Sequence, residues 1–438
     1  MENKDRISLI GIIGIGLTAV IGSGIWKDSL LWSNSAGIFS LLTLSIGWIL
    51  MFTVGLAYAE CVGMFPQGGG PYSYVGGAFG RKAGSFVGML YVGGYYCIGA
   101  LLSFLASLFS LAALSYGTFE LLTTPNIFIL TMVYIVLFTL FSSFTPGRKF
   151  GTISFVWVVI KILLVVGVFA FVLLKWSTAT FDVPTFDGFQ TAINTTIFAL
   201  LGFEIMLVFA GETENAEKTV PKGILIALPI FLILYLFVSL AASGIVGIGD
   251  IAAGDQGSIS LIILLASSAG VYGGWVFGFA AFSAAGVAYA ILAMTTKQTK
   301  ILAGDGVLPE VFARDQNFGP ASVLTLVMAL IVGGLMTGTM DIWAESVDVF
   351  ATAGLGLILI SAMLPAGLSA LALRQKMPAL VRPFKTPAYI IIFPLSILLS
   401  IYLIYLNFSV ISLLLPSLFV VGAIALVAAI LVFTRGNE

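Results

Sequence analysis

The chain has 438 residues, 60% of them hydrophobic and only 9% charged, with a mean hydropathy of +1.13. A soluble domain carries about a quarter of its residues as Asp, Glu, Lys and Arg, so this composition excludes a water-soluble globular protein and indicates an integral membrane one. The formal net charge of -1 gives no electrostatic footing for nucleic acid, and the absence of histidine removes the commonest proton shuttle and metal ligand.

Crossing the hydrocarbon core takes about 20 apolar residues. The first such run, 7–30, follows a short charged segment, Met1–Arg6. It is too long for a removable signal peptide and shows no clear small-residue cleavage site, so it is expected to remain as a first helix. Near its middle stands Gly22-Ser23-Gly24-Ile25-Trp26, small residues where an uninterrupted helix would carry bulk. Glycine weakens helix and frees backbone polar groups, which a bilayer tolerates only where they line a cavity or bind something.

Runs at 38–64, 84–115, 125–145 and 151–175 follow, the last with Lys161 deep inside it. The sixth, 190–211, contains a second interruption, Phe198-Ala199-Leu200-Leu201-Gly202-Phe203-Glu204. Runs at 222–248, 268–300, 320–338, 346–373, 387–407 and 410–433 complete twelve predicted spans, several long enough to be tilted or broken. The two interruptions lie five spans apart, and an odd offset reverses the membrane orientation of the second copy, the pattern of an inverted repeat with its site between two broken helices. Membrane glycines also serve as packing surfaces, so with 49 of them the pairing alone leaves that reading open.

With twelve spans, sixteen of the nineteen Lys and Arg residues fall on one side of the membrane, which predicts cytoplasmic N and C termini in a cell-membrane protein. Lys27, Lys161 and Lys175 are the exceptions; Lys175 ends a span and can snorkel. Cys61 and Cys97 sit far apart in apolar runs with no metal or redox spacing and read as buried thiols.

The loops add a more specific signal. Pro66-Gln67-Gly68-Gly69-Gly70-Pro71-Tyr72-Ser73-Tyr74 resembles the loop after span two of the amino acid-polyamine-organocation transporters. Glu212 to Lys222 is similar to that family's acidic loop before span seven, Gly304 to Pro309 to its loop after span eight, and Arg382 to Pro387 to its loop before span eleven. Gly22-Ser23-Gly24-Ile25 and Gly202-Phe203-Glu204 resemble its two unwound substrate-binding segments, and the six matches fall in order.

The resemblance implies an all-α integral membrane fold of the leucine-transporter type. Two inverted five-helix repeats, 1–175 and 190–373, would have broken helices 1 and 6, and two further helices would lie in 387–438. It also implies a small-molecule amino acid substrate held at the two breaks. Ser23 and Gly24 would donate backbone N–H groups to the substrate carboxylate, Gly22 would allow close approach, and carbonyls of Val20, Phe198 and Leu201 would receive the ammonium. Elementary electrostatics agrees, since half-helix ends offer free N–H groups at a positive dipole end and free carbonyls at the other. Phe198 matches an aromatic that closes over substrate, although most of the 35 phenylalanines must be core or lipid-facing. Ile291 falls near a substrate-stacking tryptophan of some relatives, which argues against a substrate needing that stack, such as arginine.

Each ionisable residue inside a span is a functional candidate. Glu204 is expected to anchor the unwound turn or to carry a proton; Glu60 reads as a gate or packing partner; Lys27 and Asp28 read as solvated in an outer vestibule. Lys161 matches a lysine on span five in one branch of the family, where the ammonium replaces sodium at the fold's second sodium site. An ammonium held dry can release its proton, so both a proton carrier and a permanently charged strut are open, and either implies sodium-independent transport.

The expectation is secondary active transport of amino acids by alternating access, proton-coupled or by exchange. A polyamine or amine/amino acid antiporter is the alternative, short of acids beyond Glu204, Asp28 and Asp348. A sensor on the same scaffold lacks extramembrane mass to signal with, and an enzyme lacks a nucleophile–base pair or metal cluster. No cofactor, nucleic acid or disulfide-linked accessory subunit is expected; the loop at Ser115 to Thr124 has no cysteine, and membrane lipid is the remaining partner.

Overall fold

A computed structural model describes residues 5–116, 119–145, 147–174, 185–244, 262–266, 272–314, 317–342, 345–409 and 411–435. The regular elements among these residues are all helices, with a single parallel bridge between Ile7 and Thr213 in place of any sheet.

The helices are α1 Leu9–Val20, α2 Gly24–Ala36, α3 Ser40–Met64, α4 Pro71–Phe79 and α5 Arg81–Leu114. Then come α6 Thr124–Ser143, α7 Gly147–Leu174, α8 Phe186–Leu200, α9 Ala216–Ser243 and α10 Gly273–Gly304. The last are α11 Pro320–Gly338, α12 Ser346–Ile358, α13 Leu364–Lys376, α14 Tyr389–Asn407 and α15 Ile411–Arg435. Local chemistry sets several starts: the Ser8 side chain caps α1 by accepting from Gly11 N, Thr123 caps α6, and prolines open α4 and α11 where their missing N–H is not needed.

Among the described residues, ten helical runs are long and apolar enough to cross a membrane, with Gly24–Met64 counted as one. That run is twice the length a crossing needs, and a 3₁₀ turn at Gly37–Phe39 divides it. The loop after the second predicted span folds into α4 instead of staying irregular, and the tenth span is interrupted by a π turn at Leu359–Met363 between α12 and α13.

Apolar surface faces outward as well as inward, as a bilayer solvent requires. On α7, Val156, Val159, Leu163, Val166 and Phe171 are exposed, while Ser154, Val158, Lys161, Val165 and Val168 are buried at helical spacing against α1. Small residues let these two helices touch: a β-carbon on Gly14 would lie 2.6 Å from Phe155 Cα. Thr18 Oγ1 donates across the same contact to Ser154 O at 2.7 Å.

Candidate substrate site

The helix of the first predicted span stops at Val20, because Ile21 leaves helical dihedrals (φ -80°, ψ 86°), and resumes at Gly24. The second interruption falls between Leu200 and Phe203. Gly202 there has φ +117°, a left-handed conformation that side chains rarely adopt, and a β-carbon on it would stand 2.8 Å from Ala19 O. Beyond it the chain does not form a second α-helical half but two 3₁₀ turns, Phe203–Leu207 and Ala210–Glu212. The Glu204 carboxylate explains the local path: its Oε2 accepts Gly202 N–H at 3.0 Å and its Oε1 accepts the Tyr95 hydroxyl.

Between the breaks lies a cavity of about 60 Å³. Val20, Gly22, Ser23 and Gly24 line it from the first break, and Ala199, Leu201 and Gly202 from the second. Its remaining wall is mainly aliphatic: Ile98 and Leu102 of α5, Val287 and Ile291 of α10, Leu355 and Ile358 of α12, with the Tyr95 ring beside them. Among the substrate-binding residues named from sequence, Val20, Gly22, Ser23, Gly24, Leu201 and Ile291 therefore meet in one place. The Phe198 side chain lies outside the described residues, although its backbone is in α8. The first N–H groups of α2 have no partner within that helix; Ser23 and Gly24 sit at that end, buried against the cavity.

Lys161 is fully buried, and its Nζ donates to Thr18 O at 3.0 Å and Ile21 O at 2.8 Å, two carbonyls at the end of α1. Gly286 of α10 faces it closely, since a β-carbon there would lie 2.9 Å from Nζ. A residue that sequence reasoning missed joins the two breaks: the Tyr235 hydroxyl of α9 lies 3.2 Å from Val20 O and 3.1 Å from Ala199 O. Nothing distinguishes it in the sequence beyond a polar tip in an apolar run.

Asp28 corrects one expectation. It is only 2% exposed, so it is not a solvated vestibule residue; α2 carries it inward, where its Oδ1 pairs with Lys27. Glu60 stands apart from the cavity. Arg374 binds it through Nε and Nη2, both at 2.7 Å, Thr386 N–H adds a bond at 2.8 Å, and the guanidinium stacks 3.8 Å over the Tyr389 ring. This fastens the segment between α13 and α14 to α3. Arg374→Ala would leave a buried carboxylate short of its bidentate partner and is expected to cost about 3 kcal/mol of stability, measured by thermal unfolding in detergent.

The sequence pattern of the amino acid permease family matches residues 7–433. The branched-chain amino acid permease BcaP of Bacillus subtilis (strain 168) is 25% identical over 426 residues, covering 92% of this chain and 88% of the relative. The aspartate-proton symporter of the same organism is 25% identical over 92% of this chain and 79% of its own length. The putrescine transporter PotE of Haemophilus influenzae (strain ATCC 51907 / DSM 11121 / KW20 / Rd) is 29% identical over 51% of each chain. The chain belongs to the amino acid permease family: it is a multi-pass membrane transporter of amino acids and not an enzyme.

Proposed function

We propose that this permease carries small aliphatic amino acids across the cytoplasmic membrane by alternating access, without sodium, by exchange or with protons. The observation that carries the reading is the cavity between the breaks, where Ser23, Gly24 and Leu201 of the interrupted segments meet a wall of Ile98, Leu102, Val287, Ile291, Leu355 and Ile358. Helix-end backbone recognises the zwitterion and an aliphatic wall selects an aliphatic side chain. The similarity to a branched-chain permease supports this choice.

In this reading α1 with α2, and α8 with its 3₁₀ turns, are each one interrupted crossing, and α2 and α3 belong to separate crossings. That arrangement gives twelve spans, with repeats at 1–175 and 190–373 and a C-terminal pair in 387–438. Both termini then face the cytoplasm. Glu204 anchors the second break, a role supported by its bonds to Gly202 N–H and Tyr95.

A polyamine carrier is the second reading, favoured by the similarity to a putrescine transporter. Among the described residues no carboxylate stands in the cavity lining and only Asp28 beside it has an unengaged oxygen, whereas a diamine needs acceptors for two ammonium groups. Uptake of labelled leucine, alanine, arginine and putrescine into proteoliposomes, in sodium and in choline, decides between them. Leucine or alanine is expected to enter equally in both salts, with arginine and putrescine excluded. Entry of putrescine without either aliphatic amino acid overturns the proposal.

A further inference from the structure

Two buried carboxylates flank the cavity, and they differ in what they have left to offer. Both oxygens of Glu204 are occupied, one by Tyr95 and one by Gly202 N–H. Asp28 has only Oδ1 engaged, by Lys27; its Oδ2 is buried with no hydrogen-bond partner. Side chains on a helix lean toward its N-terminus, and this lean lays the Asp28 carboxylate back over the first turn of α2. There Oδ2 lies 2.8 Å from the point a β-carbon on Gly24 would occupy, and that point is 3.5 Å from Ala199 Cβ. Gly24 and Ala199 are both cavity-lining residues. The unpartnered oxygen therefore lies just behind the cavity lining, beside Gly24 where the two breaks come together.

Several carbonyls that would otherwise take a substrate ammonium are already in use. Thr18 O and Ile21 O accept from Lys161, and the single Tyr235 hydroxyl proton is shared between Val20 O and Ala199 O. A desolvated carboxylate oxygen is a stronger acceptor for a cation than a neutral carbonyl, and burying one without a donor is unfavourable. We infer that Asp28 Oδ2 receives the α-ammonium of the bound amino acid. The assignment rests on the transport reading above and deepens it by naming a side-chain determinant that backbone recognition alone does not supply.

Lys27 then acts as the resident counter-ion of the empty site. Asp348 on α12 lies within electrostatic reach of Lys27, so a second carboxylate is at hand when a substrate ammonium joins Asp28. One free carboxylate oxygen serves one ammonium, which fits a monoamino acid and disfavours a diamine.

The test is equilibrium binding of L-leucine and of isoamylamine, leucine without its carboxylate, to the purified full-length chain in detergent, with thermal unfolding run in parallel. Asp28→Asn is expected to weaken both ligands at least about 30-fold, the scale of losing a charge-assisted contact. Lys27→Met, which removes the competing cation, is expected to hold or tighten leucine binding and to enlarge its thermal stabilisation. A folded Asp28→Asn variant with unchanged leucine affinity overturns the assignment. If Asp28→Asn does not fold, Lys27→Met decides: weakened leucine binding there makes the pair a strut and overturns it equally. An unmodified protein that binds no leucine overturns both this assignment and the aliphatic transport reading, whereas wild-type binding with an indifferent Asp28 overturns this one alone.

Discussion

Gly24→Leu is expected to reduce uptake at least about 100-fold, equivalent to losing about 2.8 kcal/mol of binding at about 1.4 kcal/mol per factor of ten. Gly24 opens α2 on the cavity, and its backbone is not held in a left-handed conformation, so a side chain is resisted by space and not by dihedral strain. The first added carbon would already stand 2.8 Å from Asp28 Oδ2, and the rest of a leucine side chain must go toward Ala199 or into a cavity of about 60 Å³. Overpacking of this kind costs about 1–3 kcal/mol of stability, which a membrane bundle of this size is expected to survive, so expression and a monodisperse profile in detergent should persist. Gly24→Ala tests the same geometry more gently, and an intermediate loss of uptake is expected from it. Normal uptake by the leucine variant would place the substrate elsewhere.

Much of this arrangement is legible in the sequence because membrane solvation makes backbone interruptions conspicuous. Gly22-Ser23-Gly24 and Gly202 announce the two breaks, since unpaired backbone in a bilayer needs a purpose. The same logic brings Lys161 forward, and the helical spacing of Ser154, Val158, Lys161 and Val165 puts it on the buried face of α7. Less visible is anything that depends on which way a side chain leans. Asp28 reads as solvated because it follows Trp26 on the outer half of the first span, yet α2 turns it toward α8 and α9 and buries it. Tyr235 is missed for a similar reason: its hydroxyl reaches Val20 O at the end of α1 and Ala199 O of α8 only because α9 packs against the first break. The α4 helix hides in a segment dense with glycine and proline, where turn chemistry masks a proline placed to start a helix. The π turn at Leu359–Met363 lies just before Pro365, which has no N–H to continue the i→i−4 ladder, a signal that is easily passed over inside a continuous apolar run.

Lys161→Ala is expected to abolish accumulation driven by a pH gradient while exchange of external for internal substrate persists. The Nζ of Lys161 holds Thr18 O and Ile21 O, carbonyls at the first break that otherwise need a cation or another donor. In the proposed sodium-independent reading, the ammonium on those oxygens supplies the charge that a bound sodium would otherwise bring, so replacing sodium by choline should leave uptake by the unmodified protein unchanged. The ammonium is a point charge on a flexible stem, which is what a carrier that leaves the carbonyls and returns requires. A gradient of one pH unit supplies about 1.4 kcal/mol per proton, enough for about tenfold accumulation at one proton per substrate. The alanine variant should show none of that accumulation and should equilibrate only. Loss of folding, or of all substrate binding, would instead identify Lys161 as a charged strut that ties α7 to the end of α1. Gly286 offers an independent check without touching the amine: a β-carbon there would stand 2.9 Å from Nζ, so Gly286→Ala should displace the ammonium and weaken the response to the gradient in the same direction. Strict sodium dependence of the unmodified protein would contradict the carrier and the strut together, because in both the charge at the first break is already supplied by the chain.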